Sequence, residues 1–471
     1  MSADPQFQPD AIASARPAAI GAGTRAFCFE AGATRTLEEF LGHVRGVAAG
    51  LPGARHVVNL CEDRYRFLVA FCAAALRGQT TLLPPSRAPE VVLATMATHG
   101  DAYCLGDDPG LLPEALAETQ RRLLPPVLPS EEGAAPLLAT DWPVAIGYTS
   151  GSTGQPQAHV KTWASFITST AQNLAALQDL WGQAQPQVVA TVPPQHMYGM
   201  ELSVLLPLLG GAAVHAGRPL FPADVAQALA DAPAPRLLVT TPVHLRALLQ
   251  SDVDLPPLAG IVSATAPLAP ELAAAAEARY GCEVREVFGS TETCVFARRR
   301  TAADALWTPL PGVRVVARPD GALVHAAHLP QPVALADLVE VEADGRFRLC
   351  GRQADLLEIA GKRASLGDLT RRLLAVPGVE DGVVVQLPAD GSGGIGRIAA
   401  LAVAPGLSPQ AIVEALRAGV DPVFLPRRVR LLDALPRNAT GKLLRHELLA
   451  LLDEAADRHS SAGGDAPAAS P

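Results

Sequence analysis

Between about Arg55 and Ile261, short β-branched runs alternate with helix-like stretches, and this rhythm limits the possible folds more than any other feature of the chain. His56 to Leu60 reads as a strand and Arg64 to Leu76 as an apolar helix. Val188 to Val192 and Leu237 to Thr240 read as further strands, the second followed by a helix to Leu249. Gly260 to Ser263 is again a strand, Pro270 to Arg279 a helix, and Glu283 to Val287 a strand. Such alternation predicts βαβ units and an α/β fold of mostly parallel, helix-covered sheets. Ligands of sheets of this kind sit beyond the carboxyl ends of the strands, so the loops that follow them are where chemistry is expected.

A chain of 471 residues exceeds one ordinary hydrophobic core. From Val313 to Leu349 the rhythm changes to short strands punctuated by Asp320-Gly321 and Asp344-Gly345, both hairpin signals. A β-rich subdomain is predicted there, at about 301–351, closing a large N-terminal domain over 1–351. Strands near Val383 to Gln386 and Ile398 to Val403, with helices near Pro409 to Arg417 and Leu443 to Leu452, predict a small α+β C-terminal domain over 352–457. The Ser-, Gly-, Ala- and Pro-rich tail, 458–471, is predicted to be disordered.

Composition removes several classes of function. A net charge of −9 argues against a nucleic-acid partner, because neutralising phosphates needs clustered Lys and Arg. The cysteines, Cys28, Cys61, Cys72, Cys104, Cys282, Cys294 and Cys350, form no CxxC pair and suggest buried thiols rather than zinc or disulfides. The start MSADPQFQPDAIAS lacks the basic and apolar runs of a signal peptide. The most apolar stretch, Leu202 to Val214, is interrupted by Pro207, Gly210 and Gly211 and falls short of the ~20 residues of a membrane span. A cytoplasmic protein is expected.

The stretch Tyr148 to Lys161, YTSGSTGQPQAHVK, carries the strongest chemical signal. Thr149, Ser150, Ser152 and Thr153 bring hydroxyls, while Gly151 and Gly154 let backbone amides turn toward a ligand. Small residues offering N–H and O–H donors suit a polyphosphate. No Gly-Lys-Ser/Thr closes the loop, so it is not a P-loop; by itself it could equally be a flexible Ser/Gly linker.

Further motifs stand beside it. These are PPQHMYGM (Pro193 to Met200), FGSTE (Phe288 to Glu292), Asp337 with GRQADLLEIAGKR (Gly351 to Arg363), and PRNATGK (Pro436 to Lys442). In this order they resemble the adenylate-forming superfamily of acyl- and aryl-CoA synthetases, luciferases and peptide-synthetase adenylation domains. The resemblance spans nearly the whole chain and implies ATP and Mg²⁺ as cofactors. It implies that Thr149 to Gly154 bind the phosphates, that Glu292 with Thr149 holds magnesium, and that Thr291 and Gly289 face the α-phosphate. It implies that Phe288 stacks on adenine, that Ala264 and Thr265 line it, that Asp337 contacts the ribose, and that Arg352 contacts the ribose or phosphate. His196, Met197, Tyr198 and Gly199 would form the acid pocket, with His196 orienting the carboxylate. Lys442 would be the catalytic lysine, and the small domain would be mobile about a hinge at Ala354 and Asp355.

Elementary chemistry supports these roles. A carboxylate attacking the α-phosphate approaches an anionic centre, so a cation such as Lys442 must stabilise the developing charge. At the start of a helix a lysine opposes the dipole, which fits function better than stability. Magnesium is a hard cation and suits the carboxylate of Glu292. A lone Glu is otherwise a surface charge, and His196, Met197 and Tyr198 are otherwise core.

The chain departs from the family pattern at two places. Gln157 stands where a lysine normally contacts pyrophosphate, leaving Lys161 to reach the phosphates or the contact missing, and Ala354 replaces the usual hinge Asp or Lys. The segment Gln195-His196-Met197-Tyr198 has no carboxylate to hold an amine, so a small acid without an ammonium group is expected. The runs PPQHMYGMELSVLLPLLGG, GSTGQPQAHVKTW and DPVFLPRRVRLLDALPRNATGK are similar to stand-alone ligases of aryl polyene and xanthomonadin-type pigments. That likeness implies a hydroxybenzoate-like acid and a separate acyl carrier protein as acceptor. Coenzyme A is the alternative acceptor. A binding protein without turnover is the alternative of another class, motivated by Gln157.

Overall fold

The structure, a computed structural model, describes residues 14–149, 157–352, 356–359, 362–387, 397–417, 419–437 and 443–460. Its contacts divide the chain into two compact units. The first is Met1–Val315 with Val324–Val333 and Asp344–Arg346, and the second is Val316–Leu323 with Ala334–Ala343 and Phe347–Pro471.

The first unit contains the expected parallel sheets. One sheet has six strands in the order Gln157–Thr162, Pro143–Thr149, Thr80–Leu83, His56–Asn59, Ala102–Gly106, Arg121–Leu123. All its pairs are parallel except the antiparallel edge strand Gln157–Thr162. The other sheet has nine strands. Its parallel centre runs Val284–Ser290, Gly260–Ser263, Arg236–Thr240, Gln187–Ala190, Ala213–His215, Ala26–Glu30. The Val, Leu and Ile of these strands and their helices fill the core, consistent with the near-continuous apolar runs of buried parallel strands.

The helix Arg64–Leu76 shows how sequence makes this architecture. Asp63 caps it by accepting a hydrogen bond from the Arg66 amide at 2.7 Å. The helix is apolar nearly all round, and Phe67 to Ala75 are all buried, as such a helix must be. Arg64 is 0% exposed, yet each guanidinium nitrogen has a partner. It donates to Ser203 Oγ (3.1 Å) and to the carbonyls of Ala190 (3.1 Å), Val192 (2.7 Å), His215 (3.2 Å) and Gly217 (2.7 Å). The planar fork of an arginine suits a convergence of backbone oxygens. Here it ties the helix to the carboxyl ends of two strands of the nine-stranded sheet.

The second unit holds a three-stranded sheet, Asp381–Gln386, Ile398–Val403 and Arg428–Leu431. Helices Leu366–Leu374 and Pro409–Arg417 bury Leu366, Leu369, Leu373, Ile412 and Leu416 in one core with Ile398 and Ala400. Asp344-Gly345 turns the chain between strands Asp337–Val341 and Phe347–Arg352, which pair antiparallel, and Gly345 takes the positive φ of 85° that this turn requires. The architecture is thus a large mixed α/β part followed by a smaller α+β part. No helix among the described residues is long and apolar enough to cross a membrane. Every cysteine is free, and only Cys282 and Cys350 are partly exposed.

Candidate active site

The FGSTE motif forms the end of strand Val284–Ser290 and a tight turn into Cys294–Arg299. Ser290 and Thr293 lock the turn. The Ser290 amide donates to Thr293 Oγ1 (3.0 Å), the Thr293 amide to Ser290 Oγ (3.2 Å), and the two hydroxyls are 2.9 Å apart. A Cβ at Gly289 would lie 2.3 Å from the Cys294 carbonyl oxygen, so the motif's glycine is required by backbone approach. Cys294 itself has φ +57°, a left-handed conformation rare for a non-glycine residue. His328 braces the turn from outside by donating from Nε2 to the Thr293 carbonyl at 2.7 Å, and burial lowers the pKa of its ring.

This turn meets the other motifs at the carboxyl end of strand Pro143–Thr149. Gly147 has no side chain where a Cβ would stand 2.4 Å from Thr291 Cγ2 and 3.4 Å from Met197 Cε. Thr291, Met197 and the strand that feeds the phosphate loop therefore converge on one glycine. Thr149 ends the strand and pairs with Gln157, the residue standing in place of the usual lysine. Its Oγ1 is 3.0 Å from His159 Nε2. Burial lowers the His159 pKa more than nearby Glu292 raises it, favouring a neutral ring that can accept the hydroxyl proton and leave the Thr149 lone pairs for a cation.

Magnesium can be tested against these residues. Glu292 Oε2 is buried and has no hydrogen-bond partner among the described residues. A buried carboxylate oxygen left unpaired is costly unless something binds it. Among the described residues no group of three or more His, Cys, Asp or Glu gathers to form a metal cage. Magnesium is commonly held by one or two protein oxygen ligands plus substrate phosphates. Glu292, with Thr149, would hold the ion, whose chemistry when bound is to offset phosphate charge.

Two buried ionisable groups flank this turn; the sequence offered Lys161 only as a phosphate contact and gave no role to Glu201. Lys161, 3% exposed, donates from Nζ to the Glu292 carbonyl at 2.8 Å. Glu201, 2% exposed, accepts from the Val295 amide (2.8 Å) and Asn173 Nδ2 (3.0 Å). Burial pushes the Glu201 carboxyl up to about 7, while Val295, Asn173 and Lys161 pull it down. Glu201 begins a π-helical stretch, Glu201–Leu205, directly after the PPQHMYGM motif; such bulges often mark functional sites. A lone carboxylate entering the apolar run to Val214 was the available signal.

The acid motif follows strand Gln187–Ala190. Gln195 Nε2 donates to the Cys61 carbonyl at 2.8 Å and links the two sheets. His196 is half-buried at the start of the short helix Met197–Met200. Tyr198 is buried, its hydroxyl donating to the carbonyls of Val262 (2.8 Å) and Thr240 (3.1 Å), so it braces two strand ends. Gly199 is forced by close approach, because a Cβ would lie 2.0 Å from the Pro193 carbonyl oxygen. Beyond strand Gly260–Ser263, Ala264 is buried and Thr265 has φ +80°, with Oγ1 buried and unpartnered among the described residues. Strain and an orphan hydroxyl at a strand's carboxyl end are typical of ligand sites. The Phe288 ring packs against Phe296 and Trp307, at centroid distances of 4.9 and 5.2 Å.

In the second unit, the register of strands Asp337–Val341 and Phe347–Arg352 sets Asp337 directly opposite Arg352. Ser150, Gly151, Ser152, Thr153, Gly154, Ala354, Asp355 and Lys442 lie outside the described residues.

Residues 15–324 match the model of a family described as AMP-binding enzyme. A 4-coumarate–CoA ligase of Rhodobacter capsulatus is 32% identical over 302 residues, covering 63% of this chain and 74% of that protein. Another from Halorhodospira halophila is 31% identical over 324 residues, covering 63% and 73%. Among solved structures, the o-succinylbenzoate coenzyme A synthetase of Bacillus subtilis in complex with ATP and magnesium ion shares the fold at 18% identity. Its TM-score is 0.76, with 90% of this chain and 96% of that one covered. Matched by this family over residues 15–324, the chain belongs to the AMP-binding enzyme family and is an acid–thiol ligase that uses ATP to activate a carboxylic acid as its acyl adenylate.

Proposed function

We propose that this ligase activates a small aryl acid and passes the acyl group to the thiol of coenzyme A. The observation that carries the reading is the buried Glu292 oxygen, without a partner among the described residues, on a turn packed against both the phosphate-loop strand and the acid motif. The substrate carboxylate attacks the α-phosphorus of ATP, the bond to pyrophosphate breaks, and acyl-AMP forms. The thiol sulfur then attacks the acyl carbonyl and AMP leaves with the bonding electrons. Lys442 would stabilise the charge that develops in the first step, as the resemblance implies.

An acid without an amine is favoured because Glu201, the carboxylate nearest the acid motif in sequence, is already committed to Val295 and Asn173. Aryl acids are favoured because the two relatives above are 4-coumarate–CoA ligases. Those names also favour coenzyme A, whereas the likeness to pigment ligases implies a carrier protein first. Purified enzyme given ATP, Mg²⁺ and hydroxycinnamates or hydroxybenzoates should release AMP faster with coenzyme A than with a phosphopantetheinylated carrier protein. Thioester formed on the carrier alone would reverse the choice of acceptor.

A further inference from the structure

The FGSTE turn is held from two sides by ionisable side chains buried beneath it. Lys161 reaches from the edge strand Gln157–Thr162 and donates to the Glu292 carbonyl at 2.8 Å. Glu201 reaches from the acid-motif helix and accepts the Val295 amide at 2.8 Å. The two contacts bracket Thr293 and Cys294, the strained centre of the turn with φ +57° at Cys294. Asn173, on helix Trp163–Leu177 that follows the Lys161 strand, holds the other Glu201 oxygen at 3.0 Å. Lys161 and Glu201 thus grip the same short turn through its backbone.

We infer that Lys161 and Glu201 are a pair of positioning residues that clamp the backbone on either side of Cys294 and thereby aim the Glu292 carboxylate at the metal. Charges at this depth are costly unless they are paired and hydrogen-bonded. Apolar side chains would fill the same space without that cost, so two buried ionisable groups committed to backbone contacts point to a need for precise placement. The assignment gives the displaced lysine a different task from touching phosphate: it fixes the residue that holds the metal. The inference rests on the ligase reading for what is aimed, but the clamp itself is a property of the ligand-free chain.

The first test therefore needs no substrate. In Lys161→Met and Glu201→Leu, hydrogen exchange of the ligand-free protein should speed up in the peptide covering 288–296 while the helix Arg64–Leu76 keeps its protection. The second test is Mn²⁺ binding in the presence of a non-hydrolysable ATP analogue, read by electron paramagnetic resonance. Both variants should weaken Mn²⁺ by about tenfold or more, the range seen when outer-shell partners of metal ligands are removed. Glu201→Gln keeps an oxygen for the Val295 amide and should recover most of the affinity. The double variant Lys161→Met/Glu201→Leu removes both ionisable groups, so it should regain stability but not Mn²⁺ affinity. Unchanged exchange at 288–296 in the folded single variants, or wild-type Mn²⁺ affinity in the double variant, would overturn the inference. If the wild-type chain bound no Mn²⁺-nucleotide, the ligase reading would fail while the exchange data still decided the clamp.

Discussion

The convergence of motifs on Gly147 can be broken with one methyl group. In Gly147→Ala the new Cβ would stand 2.4 Å from Thr291 Cγ2. Carbon atoms in contact prefer about 3.5–4.0 Å, so the strand and the turn must part by more than ~1 Å. The core also resists, at a cost of about 1–3 kcal/mol for overpacking, which a chain of this size should survive. A displacement of that size at a reacting centre costs on the order of 10²-fold in rate. The assay is acid-dependent exchange of labelled pyrophosphate into ATP, with melting monitored in parallel. Gly147→Ala should lose about two orders of magnitude in kcat/KM for ATP while remaining folded. Thr291→Ser deletes the offending Cγ2 and keeps the hydroxyl, so adding it to Gly147→Ala should restore most of the loss. Exchange within about threefold of wild type in Gly147→Ala, or no recovery in the double variant, would refute the packing argument.

Glu201 makes stability pH-dependent. Its carboxyl, faced by Asn173, the Val295 amide, Lys161 and Cys294, is raised from 4.5 to about 7 by burial. The native state therefore keeps a proton that the unfolded chain has released. This contribution is fully present below pH 4.5 and lost as the pH rises toward 7, on the order of 3 kcal/mol in all. Urea melts should show that Glu201→Gln removes this slope, and an identical slope in the variant would contradict it. Arg64→Met should cost about 3–5 kcal/mol, because it orphans the buried carbonyls that its guanidinium satisfies; a loss under ~1 kcal/mol in the same melts would show that water replaces it. Lys442→Ala should slow adenylation by a factor on the order of 10²–10³ and spare thiol transfer from supplied acyl adenylate, measured as separate half-reactions. Equal impairment of both would deny Lys442 a role specific to the first step.

Much of the frame was legible because its elements are apolar and periodic. Arg64–Leu76, Gly260–Ser263, Ile398–Val403 and Pro409–Arg417 have the bounds that the patterns predict. Ends were harder to place. The strand from His56 stops at Asn59 rather than Leu60, because Asn59 turns its side chain onto the Cys61 amide (3.2 Å) and the Phe67 carbonyl (3.0 Å). The last helix runs to Ser460, past the predicted Leu452. Motif spelling brought Thr149, Met197, Thr291 and Glu292 into one neighbourhood. Motifs do not reveal which way a side chain points, and Tyr198 bridges strand ends by its hydroxyl while Lys161 serves a backbone carbonyl. Gly147 and Asn173 lie in none of the quoted runs, and Glu201 stands in one without an assigned role. Their roles arise where separate segments pack, which local sequence does not record.

Adenylation is read out by acid-dependent exchange of labelled pyrophosphate into ATP. With Mg²⁺ present and no thiol acceptor, a panel of hydroxycinnamates, hydroxybenzoates and short fatty acids should contain an acid that drives exchange. Removing the acid or chelating the metal should abolish the signal, and Glu292→Ala should strongly reduce it. A folded protein that binds ATP yet exchanges no pyrophosphate with any acid of the panel would contradict the account.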